Sequence, residues 1–188
     1  MGIGTIKRAI FFDRDGVLNR AILRDGKPHP PASLAELQID PAAAPGIALL
    51  HALRFITVIV TNQPDVARGK QRRETVEAIN LQVRRSVGAD AVYTCFHDNA
   101  DQCECRKPKP GLILQSAHDL QIDVLHSYLI GDRHGDIQAG ISAGCATVFI
   151  DRRYPETPPA TGARATVESL DEAIKYIISL ESEARDER

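Results

Sequence analysis

A short apolar run, "AIFF", ends in "DRDG", which sets Asp13 and Asp15 two residues apart. Alternate residues of an extended segment share a side, so both carboxylates can lean the same way. Carboxylates that close repel one another unless a cation lies between them or one keeps its proton. Either outcome is useful chemistry, because one carboxylate can attack a substrate while the other moves protons. Taken alone the pattern is equally a solvated turn, since Asp-Gly is ordinary turn sequence. A second acidic cluster, "GDRHGD", follows the run "SYLI" and holds Asp132 and Asp136. Asp132 at a strand tip suits Mg²⁺, an ion that takes one or two carboxylates plus water and phosphate. Asp136 falls where a helix should begin. It reads as an N-cap and as a residue just outside the metal's direct ligands.

A third strand end, "TNQ", offers the Thr61 hydroxyl as a donor to a phosphoryl oxygen, with the amides of Asn62 and Gln63 beside it. Positive charge comes from "RKPKPG", where Pro108 and Pro110 stiffen the segment that carries Lys107 and Lys109. A phosphoryl group among carboxylates needs such a cation held in place. Immediately upstream, Cys95, His97, Cys103 and Cys105 form the pattern C-x-H-x₅-C-x-C. Four soft or borderline ligands without a carboxylate make a closed tetrahedron of the structural-zinc type, leaving no position for a catalytic water. The expected Zn²⁺ therefore anchors the loop bearing Arg106 and Lys107 and takes no part in the chemistry. Cys145, alone in "SAGCATV", reads as a buried core thiol.

The elements that must position these groups show as an alternation of apolar runs and amphipathic stretches. Residues 9–12, 55–60, 91–96, 127–130 and 146–150 read as buried strands, and 45–53, 72–87, 110–120 and 136–144 as helices. A terminal helix is expected over 167–181 with a frayed charged tail, and Pro and Gly mark loops at 24–33 and 152–164. Continuous apolar strands alternating with helices imply a Rossmann-like, doubly wound parallel α/β sheet in a single domain. Ligands of such sheets bind at the carboxyl ends of the strands. The three polar clusters should therefore converge on one edge.

A length of 188 residues suits one domain, and 43% hydrophobic with 26% charged residues is the composition of a globular protein. A net charge of −2 argues for neither a nucleic-acid nor a membrane surface, and no apolar run would span a bilayer. The chain enters its first strand almost at once, so a signal peptide is not expected, and Ile6 breaks the myristoylation pattern. Three of the four cysteines crowd together, which suits reduced thiolates in a cytoplasm better than a disulfide framework. A compact chain of this size is expected to be a monomer.

The ordered set "DRDGV", "TNQ", "KP" and "GDRHGD" resembles the haloacid dehalogenase superfamily of phosphatases over about residues 8–151. Within it, "FFDRDGVLN", "TNQPDVARG", the cysteine–histidine run and "GDRHGDIQAG" are similar to the zinc-bearing heptose bisphosphate phosphatase branch. The bacterial histidinol-phosphate phosphatase domain is a close cousin with a similar zinc loop. The resemblance implies hydrolysis of a phosphomonoester of a small phosphorylated metabolite. In the first branch this is the C7 phosphate of D-glycero-D-manno-heptose 1,7-bisphosphate, and in the second it is histidinol phosphate. It implies that Asp13 is the nucleophile, forming an aspartyl-phosphate, and that Asp15 protonates the leaving oxygen and then activates water. Mg²⁺ would be held by Asp13, the backbone carbonyl of Asp15 and Asp132. Thr61 and Lys107 would steady the phosphoryl group, Arg106 would recognise the substrate, and Asn19, Asn62 and Gln63 would contact it.

Two departures bear on the branch. Many heptose members carry Ser-Gly where this chain has Pro64 and Asp65. The five-residue gap between His97 and Cys103 is short, as in the histidinol branch, whereas Ala67-Arg68-Gly69 is the heptose form. Only 45 residues separate Asp15 from Thr61, too few for a lid domain, so the loop 19–33 and the zinc loop should shape the entrance. Two other readings stand outside this one: a zinc-stabilised binding module without catalysis, and a nucleic-acid 3′-phosphatase, which the net charge does not favour.

Overall fold

The computed structural model describes residues 7–155 and 160–186. The start of the chain with Ile6, residues 156–159 of the 152–164 loop, and the end of the tail lie outside the described residues. The elements run β1 (Arg8–Phe12), β2 (Ile22–Arg24), β3 (Lys27–His29), α1 (Ala43–Ala52), β4 (Phe55–Asn62), α2 (Arg73–Val87) and β5 (Ala91–Cys95). They continue with α3 (Gly111–Leu120), β6 (Tyr128–Gly131), α4 (His134–Ala143), β7 (Ala146–Ile150), β8 (Ala165–Val167) and α5 (Leu170–Asp186). Short 3₁₀ turns at Leu34–Glu36, Asn99–Asp101 and Val124–His126 link them.

Six strands form one parallel sheet in the order β5-β4-β1-β6-β7-β8. Side-chain alternation along each strand feeds two separate cores. Ile10 and Phe12 of β1, with Ile59, Ile130 and Val148, meet Ile47, Leu50, Ile79, Val83 and Ile174 from α1, α2 and α5. Ala9 and Phe11, with Val58, Leu129 and Phe149, meet Leu112, Ile113 and Ile137 from α3 and α4. Burial on both faces is why these strands read as unbroken apolar runs. Each fully buried Ile or Phe contributes on the order of 1.5–3 kcal/mol relative to an exposed one.

Where the sequence suggested five strands, the sheet has a sixth, β8, paired through Phe149↔Thr166. Three residues are too few to show a period, and their pairing with β7 is what makes them a strand. Helix α5 accordingly starts at Leu170, not 167, and runs on to Asp186 where fraying was expected. The loop 24–33 carries the turn and the second strand of the antiparallel β2–β3 hairpin, whose first strand begins at Ile22. Its turn is Asp25-Gly26, with φ of 51° and 73°, the double positive φ that a tight two-residue hairpin turn requires. Apart from this hairpin and one 3₁₀ turn, nothing lies between β1 and α1, so there is no separate cap.

Candidate active site and metal centre

Strand order reverses at β1. The chain leaves it for β4 and β5 on one side and returns to β6 on the other. The crevice between the carboxyl ends of β1 and β6 is the switch point where doubly wound sheets bind ligands. Asp13 follows β1 directly, and its N–H continues the ladder by donating to Ile130 O at 3.0 Å. Asp132 follows β6, and Asp136 sits in the first turn of α4 with its carboxylate accepting from Arg133 N at 2.9 Å. One oxygen from each of Asp13, Asp132 and Asp136 lies within 4.8 Å of the other two, and all three side chains are buried.

Lys107 neutralises part of this charge. Its Nζ donates to Asp13 Oδ1 at 2.7 Å and to Val60 O at 2.8 Å, and pairs with Asp136 Oδ1 at 2.6 Å. Lys109 points elsewhere, to Glu104 and Gln102 on the exposed side of the loop. Both oxygens of Asp132 are buried and met by no donor in hydrogen-bond geometry, although the Tyr154 hydroxyl stands beside them. A buried carboxylate in that state is costly, and a hard divalent cation is the group that satisfies it. The residues therefore fit Mg²⁺. Gly16 makes the close approach possible: its φ is +87°, and a Cβ there would lie 1.9 Å from Asp132 Oδ2.

Burial pushes the Asp13 carboxyl up to about 6, with Lys107 pulling against it and the Asp136 and Asp15 charges adding to the rise. Asp132 is raised well above the usual carboxylate range by burial and then by the charges of Asp13 and Asp136. Burial opposes the charge on Lys107, but Asp13 and Asp136 outweigh it and hold the amine protonated.

Asp15 turns to a different set of partners. Arg14 reaches it through Nε at 3.2 Å and Nη2 at 2.8 Å, Asn19 Nδ2 donates to it at 3.0 Å, and Gln63 Nε2 at 2.8 Å. Asn19 and Gln63, expected to contact substrate, are each 1% exposed and sit behind Asp15, not on the cleft wall. Their amides are committed to a carboxylate already in the protein. Thr61 is also 1% exposed at the tip of β4; its hydroxyl accepts from Gln63 Nε2 at 2.9 Å, which leaves its own proton to donate. Asn62 does line the cleft, yet its side chain clasps Lys107, donating to Lys107 O at 3.0 Å and accepting from Lys107 N at 3.1 Å.

The cysteine–histidine cluster closes as its spacing suggested. The Sγ–Sγ distances are 3.0 Å for Cys95–Cys105, 3.4 Å for Cys103–Cys105 and 3.7 Å for Cys95–Cys103. His97 Nδ1 lies 3.2 Å from Cys105 Sγ and 3.6 Å from Cys95 Sγ. Bonds of about 2.0–2.3 Å to a tetrahedral ion give edges of roughly this length, so the donor set fits Zn²⁺. Gly111 lets α3 start against this knot, since a Cβ there would meet Glu104 O at 2.2 Å. Arg68 joins the knot to the loop after β4, donating to the Asp98 carboxylate at 2.6 Å and 2.9 Å. Arg106 folds back onto Asn99 Oδ1 at 2.7 Å.

A cleft of about 360 Å³ opens above Asp13 and Lys107. Its walls are Lys27 and His29 of the hairpin, Asp65, Arg68 and Lys70 after β4, Arg106, and Arg133. The extra carboxylate, Asp65, thus stands at the cleft, 3.4 Å from Arg68. Sequence reasoning placed the entrance at 19–33 and the zinc loop but missed Arg14, Lys27, Arg68 and Arg133. Among the described residues, no helix is long and apolar enough to cross a membrane.

With this geometry in place, comparison with known proteins is informative. A HAD-hydrolase-like family model matches residues 104–173. D-glycero-beta-D-manno-heptose-1,7-bisphosphate 7-phosphatase of Pasteurella multocida is 33% identical over 190 aligned positions, covering 94% of this chain and 100% of the relative. The protein of the same name from Escherichia coli K12 is 32% identical over 168, covering 82% and 85%. The crystal structure of D,D-heptose 1,7-bisphosphate phosphatase from B. bronchiseptica with magnesium and phosphate superimposes with a TM-score of 0.76 at 29% identity, covering 92% of this chain and 98% of that one.

Proposed function

This chain belongs to the haloacid dehalogenase-like phosphatases, hydrolases of phosphoric monoesters, and on that premise we propose that it removes the C7 phosphate of D-glycero-D-manno-heptose 1,7-bisphosphate. The phosphoryl chemistry rests on the buried Asp13–Asp132–Asp136 trio with Lys107 locked beside it, and the heptose substrate on the likeness to the heptose bisphosphate phosphatases. Asp13 attacks phosphorus, and the bond to the sugar oxygen breaks as Asp15 gives that oxygen a proton. Asp15 then takes a proton from the water that hydrolyses the aspartyl-phosphate. Lys107 favours the ionised form of Asp13 against burial and balances the phosphoryl charge, and Thr61 donates to a phosphoryl oxygen. Asp13, Asp132 and the Asp15 carbonyl would hold Mg²⁺, which when bound would supply the remaining positive charge that phosphoryl transfer needs. The cationic wall of Lys27, Lys70, Arg106 and Arg133 suits a substrate with a second anionic group.

Histidinol phosphate is the competing substrate, favoured by the short His97–Cys103 gap. Phosphate release with Mg²⁺ should be measured side by side on both anomers of the heptose bisphosphate and on histidinol phosphate. A clear heptose preference is expected. A histidinol preference keeps the chemistry and overturns the substrate.

For the carboxylate trio the sign of the pH effect follows from the raised values. The folded state holds protons on Asp13 and Asp132 that the unfolded chain has already released. Mg²⁺-free protein should therefore lose stability as pH climbs from about 4 through about 6. Mg²⁺ would bind the deprotonated carboxylates, so the rise in thermal midpoint it produces should grow as pH climbs through about 6. A shift independent of pH would contradict this assignment.

For the cysteine–histidine cluster we propose a structural Zn²⁺, about one per chain and not displaced by Mg²⁺. Cys103→Ser should lose it, speed amide exchange over residues 95–110, and lower turnover about tenfold or more by loosening Lys107. Metal analysis that finds no zinc in protein purified without chelator would remove the assignment.

A further inference from the structure

Arg14 lies between the two catalytic aspartates, yet its side chain is fully buried, with 0% exposure. It does not line the cleft and reaches instead toward α2. Nη1 donates to Asn80 Oδ1 of α2 at 2.6 Å, and Asn80 Nδ2 donates in turn to Thr94 Oγ1 of β5 at 2.9 Å. The other edge of the guanidinium holds Asp15, Nη2 reaching both carboxylate oxygens at 3.1 Å and 2.8 Å. The Arg14 carbonyl also closes the turn that follows, accepting from Leu18 N at 2.9 Å and Asn19 N at 3.1 Å. A buried guanidinium needs acceptors for its N–H groups, and here one of them is a residue of the reaction itself. A rigid fork fixed at its far end by an amide sets a carboxylate's plane and position in a way a flexible ammonium does not.

We propose that Arg14, braced by Asn80 and Thr94, is a positioning residue that sets where Asp15 stands relative to the leaving oxygen. The proposal rests on the reading of Asp15 as general acid, and it assigns work to a residue that never touches substrate. A misplaced general acid costs most when the leaving group needs a proton, and least when it departs as a stable anion.

The test is leaving-group dependence in the Mg²⁺-loaded enzyme. For Arg14→Lys, kcat/KM on the sugar phosphate should fall about 10²-fold, while kcat/KM on 2,4-dinitrophenyl phosphate should fall less than about threefold. A purely structural role would lower both alike, and that outcome overturns the proposal. Asn80→Ala, which is remote from the cleft, should show the same pattern at smaller size and serves if the Arg14 variant does not fold. Equal losses on both substrates in Asn80→Ala overturn the proposal too. Asp15→Asn is measured alongside. If it shows no leaving-group dependence, the acid assignment falls and the proposal with it. If it does and the Arg14 and Asn80 variants do not, the positioning claim alone falls.

Discussion

Asp13→Asn is expected to lower kcat/KM by about 10⁵-fold or more, while the protein still folds. The amide keeps the shape of the side chain but cannot attack phosphorus, and the neighbouring carboxylates are not placed to replace it. Asp136 is held by Lys107 and by the N-terminus of α4, and Asp15 by Arg14, Asn19 and Gln63. The fold should not suffer, because the charge removed is one that burial and two other carboxylates already disfavour. Far-UV circular dichroism should match the wild type, and the Mg²⁺-free thermal midpoint should be equal or higher. Retained turnover in this variant would remove Asp13 as nucleophile.

Lys107→Met is expected to damage both rate and stability. The Lys107 side chain is 3% exposed, and its ammonium touches Asp13, Asp136 and the Val60 carbonyl at once. Removing it leaves the buried Asp13 and Asp136 carboxylates without the cation bonded to them, which costs about 3–5 kcal/mol in comparable buried pairs. The loss should be larger at higher pH, where the carboxylates are ionised, and Mg²⁺ should return part of it. Turnover should fall about 10³-fold, the range found when one preorganised donor to a developing oxyanion is removed. Chemical denaturation at two pH values, with and without Mg²⁺, reads the first effect and phosphate release the second. A variant as stable and active as the wild type would contradict the central place given to Lys107.

How far these residues could be read in advance depended on how local their signals are. Asp13, Asp132 and Asp136 sit where apolar runs end, so the fold class alone brings them to one edge. The cysteine and histidine side chains of the cluster lie within eleven consecutive residues, so their spacing is visible in the sequence. Residue type alone does not separate Lys107 from Lys109; the family resemblance named Lys107, and the structure clasps that lysine with Asn62 and turns it inward. Amides are harder still. Asn19 and Gln63 can serve a ligand or a neighbouring carboxylate equally well, and only the fold shows them behind Asp15. Arg14 was hidden because its brace lies 66 residues away. The available hint was Asn80, a polar residue in the apolar stripe of Val76, Ile79 and Val83 on α2. Strands β2, β3 and β8 escaped notice because three residues each carry no period.

The central claim is that phosphoryl passes through Asp13, and acid quench during turnover tests it most directly. The Mg²⁺-loaded enzyme is mixed with substrate in excess, stopped in acid within the first turnovers, digested, and mapped by mass. The expected result is one phosphoryl group on the peptide that carries Asp13, lost on treatment with hydroxylamine and absent in Asp13→Asn. Undiminished turnover with no phosphorylated peptide, or a phosphoryl group on any other residue, would contradict the account.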